Sequence, residues 1–118
     1  MPRMRAALMF GLAALPLLAS PVLARARLVR STPAAGAEVT SPAHIVLRFS
    51  EALEPAFSGA LLLDEDGKNV SGDPVRVNGT LITLTPGPLP AGIYHVNWHS
   101  VGHDTRRLEG DFSFTVKP

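Results

Sequence analysis

Between Val96 and Val116 the chain reads VNWHSVGHDTRRLEGDFSFTV, and within it His99, His103 and Asp104 stand beside the consecutive arginines Arg106 and Arg107. Imidazole with carboxylate is a donor set that suits Cu(II), Ni(II) or Zn(II). Arginine stays protonated at any relevant pH, offers no lone pair and repels a cation. One short loop therefore carries both metal donors and the charges that oppose a metal.

Spacing separates the histidines. In a strand, residues i and i+4 share a face, but a rise of about 3.3 Å per residue puts His95 and His99 roughly 13 Å apart. That strand alone cannot bring both to one ion, and they read as polar alternates to Tyr94, Val96 and Trp98. His103 and Asp104 are adjacent in a loop, where side chains are less constrained. Two donors are too few for a tight site, so a third nitrogen is needed. The amine of the mature chain, on Arg25, is one candidate if the first strand ends beside this loop, and His99 is the other. An amino-terminal copper motif built on backbone nitrogens would want histidine at the third mature position, which is Arg27.

Other chemistries find less support. Ser100, His99 and Asp104 supply the residue types of nucleophilic catalysis, yet there is no nucleophile elbow and no glycine-rich phosphate loop, so no enzyme is expected. Glu51 and Glu54 at a bend, with Asp64, Glu65 and Asp66 in the next turn, lack the spacing of a hard-cation loop and read as a solvated acidic edge. The absence of cysteine excludes thiolate metal sites and thiol redox chemistry, and leaves stability to packing and sheet hydrogen bonds.

The elements that must position these residues read as strands. HIVLRFS (His44 to Ser50) alternates Ile45, Leu47 and Phe49 on one face, after the turn-like STPAAGAEVTSPA. GALLLDEDGKNV runs apolar into the turn signal Asp66-Gly67, and VRVNGTLITLTP places two β-rich segments around Asn78-Gly79, a tight hairpin. AGIYHVNWHSV and GDFSFTV alternate again. Leu53 to Phe57 could form a turn of helix, limited by Pro55. About seven short strands separated by Gly and Pro turns predict an all-β, two-sheet antiparallel sandwich of immunoglobulin-like size.

The first residues differ from the rest. Arg3 and Arg5 precede the apolar run AALMFGLAALPLLA, and VLA before Arg25 offers the small residues that a signal peptidase accepts. Residues 1–24 are expected to be a cleaved secretory leader, with ARA allowing a second cut after Ala26, and residues 25–118 to be one domain. The leader takes Arg3 and Arg5 with it. Of eleven basic residues nine then face ten acidic ones, a formal charge of −1 that points to neither nucleic acid nor an anionic membrane surface.

The order STPAAG, LRFSEALEPAFSGA, LPAGIYHVNW and the terminal GDFSFTV resembles the periplasmic copper-resistance family CopC over essentially the whole mature chain. The resemblance implies a Greek-key β-sandwich, exported by the general secretory route, that binds copper and buffers it or hands it to partner proteins. An inner-membrane copper transporter is the kind of partner this family accompanies. In the family, Cu(II) is held by the mature N-terminal histidine with its amine and by an Asp-x-His pair in the loop after the tryptophan strand. Here Arg25 matches the first histidine, Asp104 the aspartate and Arg106 the second histidine. The methionine-rich loop that binds Cu(I) in some members has no counterpart, because Met1, Met4 and Met9 all fall in the leader. Two expectations follow: an altered Cu(II) site resting on His103 and Asp104 with the Arg25 amine or His99, or a metal-free sandwich whose loop contacts a membrane copper-transport partner.

Overall fold

A computed structural model describes residues 25–118; the expected leader, residues 1–24, lies outside them. The strands are β1 (Leu28–Thr32), β2 (Glu38–Val39), β3 (Ile45–Phe49), β4 (Gly59–Leu63), β5 (Arg76–Asn78), β6 (Leu81–Leu84), β7 (Gly92–Val101) and β8 (Arg107–Val116). They form two four-stranded sheets, ordered β1-β3-β6-β5 and β2-β8-β7-β4. The expected two-sheet β-sandwich is the observed architecture.

Alternation decides which residues meet in the core. Ile45, Leu47 and Phe49 from β3 and Ile82 and Leu84 from β6 face Leu62, Tyr94, Val96, Phe114 and Val116 from the other sheet, all of them buried. Complete burial of each aliphatic or aromatic side chain contributes about 1.5–3 kcal/mol of transfer free energy. Trp98 continues the inward row of β7 and meets Phe49 edge to face, with centroids 5.3 Å apart and planes at 72°. Tyr94 donates its hydroxyl to Pro90 O at 2.6 Å. Burial, then the Asp64 and Glu65 carboxylates, push its phenol above the usual tyrosine range.

The turns follow local chemistry, with two corrections. Asn78 pairs with Leu81, so the hairpin loop is Gly79-Thr80 rather than Asn78-Gly79; Gly79 has φ +62°, the glycine-first geometry that suits the twist of the flanking strands. In the Asp66-Gly67 turn, Asp64 Oδ1 accepts the Asp66 and Lys68 amides at 2.9 Å each, while the returning arm joins β4 through a single bridge, Leu63 to Asn69.

The stretch read as turn-like contains β2, which runs parallel to β8. Gly36, at φ +78°, donates its amide to Ser113 O at 2.7 Å and starts this pairing. The sandwich therefore has eight strands and one mixed sheet. Leu53 to Phe57 does contain one helical turn, a 3-10 turn over Pro55–Phe57.

Candidate functional site

The loop Gly102 to Arg106 joins the two longest strands, whose ten-residue register runs from Gly92 opposite Val116 to Val101 opposite Arg107. Its shape comes from its own polar groups. Asp104 Oδ1 accepts the Arg106 amide at 3.1 Å, and the Thr105 amide donates to Gly102 O at 3.1 Å. Thr105 takes φ +61°, a conformation uncommon outside glycine, asparagine and aspartate.

From across the molecule, Glu51 Oε1 accepts the His103 amide at 3.0 Å. The Glu51 carboxylate fills the space that a Cβ at position 102 would need, so a side chain there would displace the carboxylate from this contact.

The start of the domain is threaded to the same end. Ser50 Oγ accepts the Arg27 amide at 2.9 Å and donates to Arg25 O at 3.2 Å, and the Ser50 amide donates to Arg27 O at 2.8 Å. Ala26 is completely buried, and the buried Ser100 hydroxyl donates to its carbonyl at 2.6 Å. Arg25 thus sits against Ser50, and Ser50 is followed by the residue that holds His103. Arg25 Nε is buried without a hydrogen-bond partner among the described residues.

The candidate residues divide into two groups. His103 is exposed and Asp104 half-buried, both in the loop held by Glu51. His99 lies on the outer face of β7, opposite Gly59 on β4 and Glu109 on β8. Its ring packs so closely on Gly59 that a Cβ there would lie 3.3 Å from Cε1. Burial, then the Arg107 guanidinium, hold its imidazole below the ordinary histidine range, with Glu109 opposing. His99 opens onto a cavity of about 610 Å³ shared with Phe57, Val101, Thr105 and Arg107, which neither His103 nor Asp104 lines. His95 is exposed four residues earlier on β7, opposite Leu63 and Ser113. Among the described residues no three His, Asp or Glu side chains are gathered as a metal-holding group.

The arginines behave differently from a simple ion-paired loop. Asp104 accepts the Arg106 backbone amide rather than a guanidinium, because an aspartate two residues before an amide closes an Asx turn at little entropic cost. Among the described residues the one ion pair is Arg107 Nε to Glu109 Oε2, 2.7 Å, between exposed side chains, and it contributes about 0–1 kcal/mol. Glu51, which the sequence places on a solvated acidic edge, instead holds this loop through the His103 amide. Its partner lies 52 positions away, and no local pattern marks such a contact.

Comparison with known proteins supplies the remaining finding. The CopC domain model matches residues 28–117. Copper resistance protein C of Pseudomonas syringae pv. tomato is 38% identical, with 80% of this chain and 82% of that protein covered. Protein YobA of Escherichia coli K12 is also 38% identical, with 81% and 82% covered. Among solved structures, CopC from Methylosinus trichosporium OB3b superposes with TM-score 0.73 at 33% identity, covering 79% of this chain and 94% of that one. PcoC, a methionine-rich copper resistance protein from Escherichia coli, gives 0.67 at 35% identity, covering 78% and 98%. With the domain match spanning β1 to the end of β8 and relatives of this identity along most of their length, this chain belongs to the CopC family.

Proposed function

We propose that this protein is a periplasmic copper-handling protein that acts without catalysis, and that its Cu(II) site is altered from the family pattern. The observation that carries the reading is the threading of Arg25 against Ser50, next to the Glu51 carboxylate that grips the His103 amide. That run of contacts links Arg25 to the loop bearing His103 and Asp104, which supports a site at that end if the mature chain begins at Arg25. The proposed donors are the Arg25 amine, the His103 imidazole and the Asp104 carboxylate, with His99 the alternative nitrogen from the outer face. Glu51 adds a negative charge that offsets the neighbouring guanidinium groups.

Cleavage after Ala24 fits this arrangement. Ala26 is completely buried and its carbonyl is held by Ser100, so a cut after Ala26 would strip a filled position from the core and leave a buried hydroxyl without its acceptor. The names of the relatives, copper resistance protein C above all, support copper as the cargo; it is carried, so no reaction step is assigned to it. An inner-membrane copper transporter is the proposed recipient.

The second reading, a metal-free module contacting such a membrane partner, is favoured by Phe57, 63% exposed beside the His99 cavity. Calorimetric titration of the chain beginning at Arg25 with Cu(II) separates the two. The site predicts binding that His103→Ala and Asp104→Ala each weaken at least about tenfold, the loss of ~1.4 kcal/mol. Micromolar or tighter binding unchanged by both substitutions contradicts the proposed donors, and absence of binding in the unaltered chain favours the metal-free module.

A further inference from the structure

The register of the β1-β3-β6-β5 sheet segregates charge in a way that the near-neutral total conceals. Arg30 on β1 lies directly opposite Arg48 on β3, in the row that continues to Leu81 and Asn78. The next row, Thr32, Val46 and Thr83, ends on Arg76. Both rows point away from the core, because Ile45, Leu47, Phe49, Ile82 and Leu84 occupy the inner face. Arg30, Arg48 and Arg76 are exposed, and none has a carboxylate within ion-pair distance among the described residues. These four strands contain no Asp or Glu; Asp73, in the turn before β5, is the acid at the rim. The opposite sheet carries Glu38, Glu109 and Asp111 on its strands against Arg107 alone.

Like charges directly across an antiparallel pair repel, so the Arg30–Arg48 pair works against folding unless something outside the chain neutralises it. The arginines are distributed rather than convergent: they occupy three strands of a sheet about 14 Å across at about 4.8 Å per strand. Converging arginines grip one carboxylate or phosphate, whereas a field spread over a flat sheet matches charges spread over a plane. The acidic opposite face adds a dipole that turns this sheet toward a negative surface.

We propose that the outer face of the β1-β3-β6-β5 sheet docks on an anionic lipid bilayer, with Arg30, Arg48 and Arg76 meeting phosphodiester headgroups. Docking of this kind lays the sandwich on the membrane with the Gly102 to Arg106 loop at its end, and it is independent of copper.

Co-sedimentation of the mature chain with vesicles tests it. At about 10 mM salt, where the screening length is about 30 Å, the chain binds vesicles of equal phosphatidylglycerol and phosphatidylcholine and not pure phosphatidylcholine. Raising the salt to about 150 mM shortens the screening length to about 8 Å and weakens binding. The combined Arg30→Gln, Arg48→Gln and Arg76→Gln variant partitions at least about tenfold less, because each basic residue near such a surface contributes roughly a fivefold factor. Lys68→Gln, in the turn after β4, partitions as the unaltered chain does. Thermal melts of each variant establish that it is folded. Equal binding of the triple variant, or equal binding to the neutral vesicles, overturns the proposal. So does a lack of binding to the anionic vesicles at low salt, an outcome that leaves an acidic protein as the occupant of this face.

Discussion

Asp104 and Arg106 are two residues apart, and the carboxylate of one accepts the backbone amide of the other. That bond fixes the backbone at the position where the resemblance implies an imidazole, while the side chain projecting from it is a guanidinium. Arg106→His should therefore add a nitrogen donor and remove a cation without disturbing the turn, and Cu(II) titration should show affinity rising at least about tenfold, ~1.4 kcal/mol. Unchanged affinity would mean that the Asp104 turn is not where copper binds. Asp104, His103 and the arginines are all visible in the sequence as types and spacings. Glu51 reads in the sequence as part of a solvated acidic edge at a bend with Glu54, and only the closure of the sandwich shows that its carboxylate holds the His103 amide. The sequence likewise shows an aspartate beside arginines but cannot say that an Asx turn forms in place of an ion pair.

Strands with a clear period of two were readable wherever one face is buried and the other wet. β3, β6, β7 and β8 all show this, and each was anticipated because a slip of one residue would turn its apolar row to solvent. β2 was not, because a two-residue strand has no period, and its partner, β8, is distant in sequence. The packing of β7 on β8 has its own specific requirement at Gly110. Gly110 pairs with Trp98, and the indole lies across the space that a Cβ at Gly110 would occupy. Trp98 is itself held by Phe49, so it cannot swing aside cheaply. Gly110→Ala should cost about 1–3 kcal/mol, the range for overpacking, with denaturant unfolding followed by tryptophan fluorescence as the measurement. A stability equal to the unaltered chain would show that the indole is not locked there.

At the scale of the whole molecule, composition and topology give different views of charge. A formal charge near zero argued against an anionic surface as a partner, yet the strand register collects Arg30, Arg48 and Arg76 on a face without acids. Which residues share a face depends on pairing between β1, β3, β6 and β5, and pairing is not contained in a residue count. The placement of the domain's first residues is also a property of the whole: Ala26 is bonded to Ser100 from β7, 74 positions away, and Arg25 and Arg27 are tied to Ser50 at the end of β3. These ties hold Arg25 to Arg27 at the end of the sandwich that carries His103 and Asp104, and the copper-handling reading depends on both ends of that contact. The most direct test is to express the full chain with its own leader in a bacterial host under copper load, purify it from the periplasm, determine its first residue by mass spectrometry and measure its copper content. The account predicts a chain beginning at Arg25 that carries copper; a chain beginning at Arg25 and free of copper would contradict it.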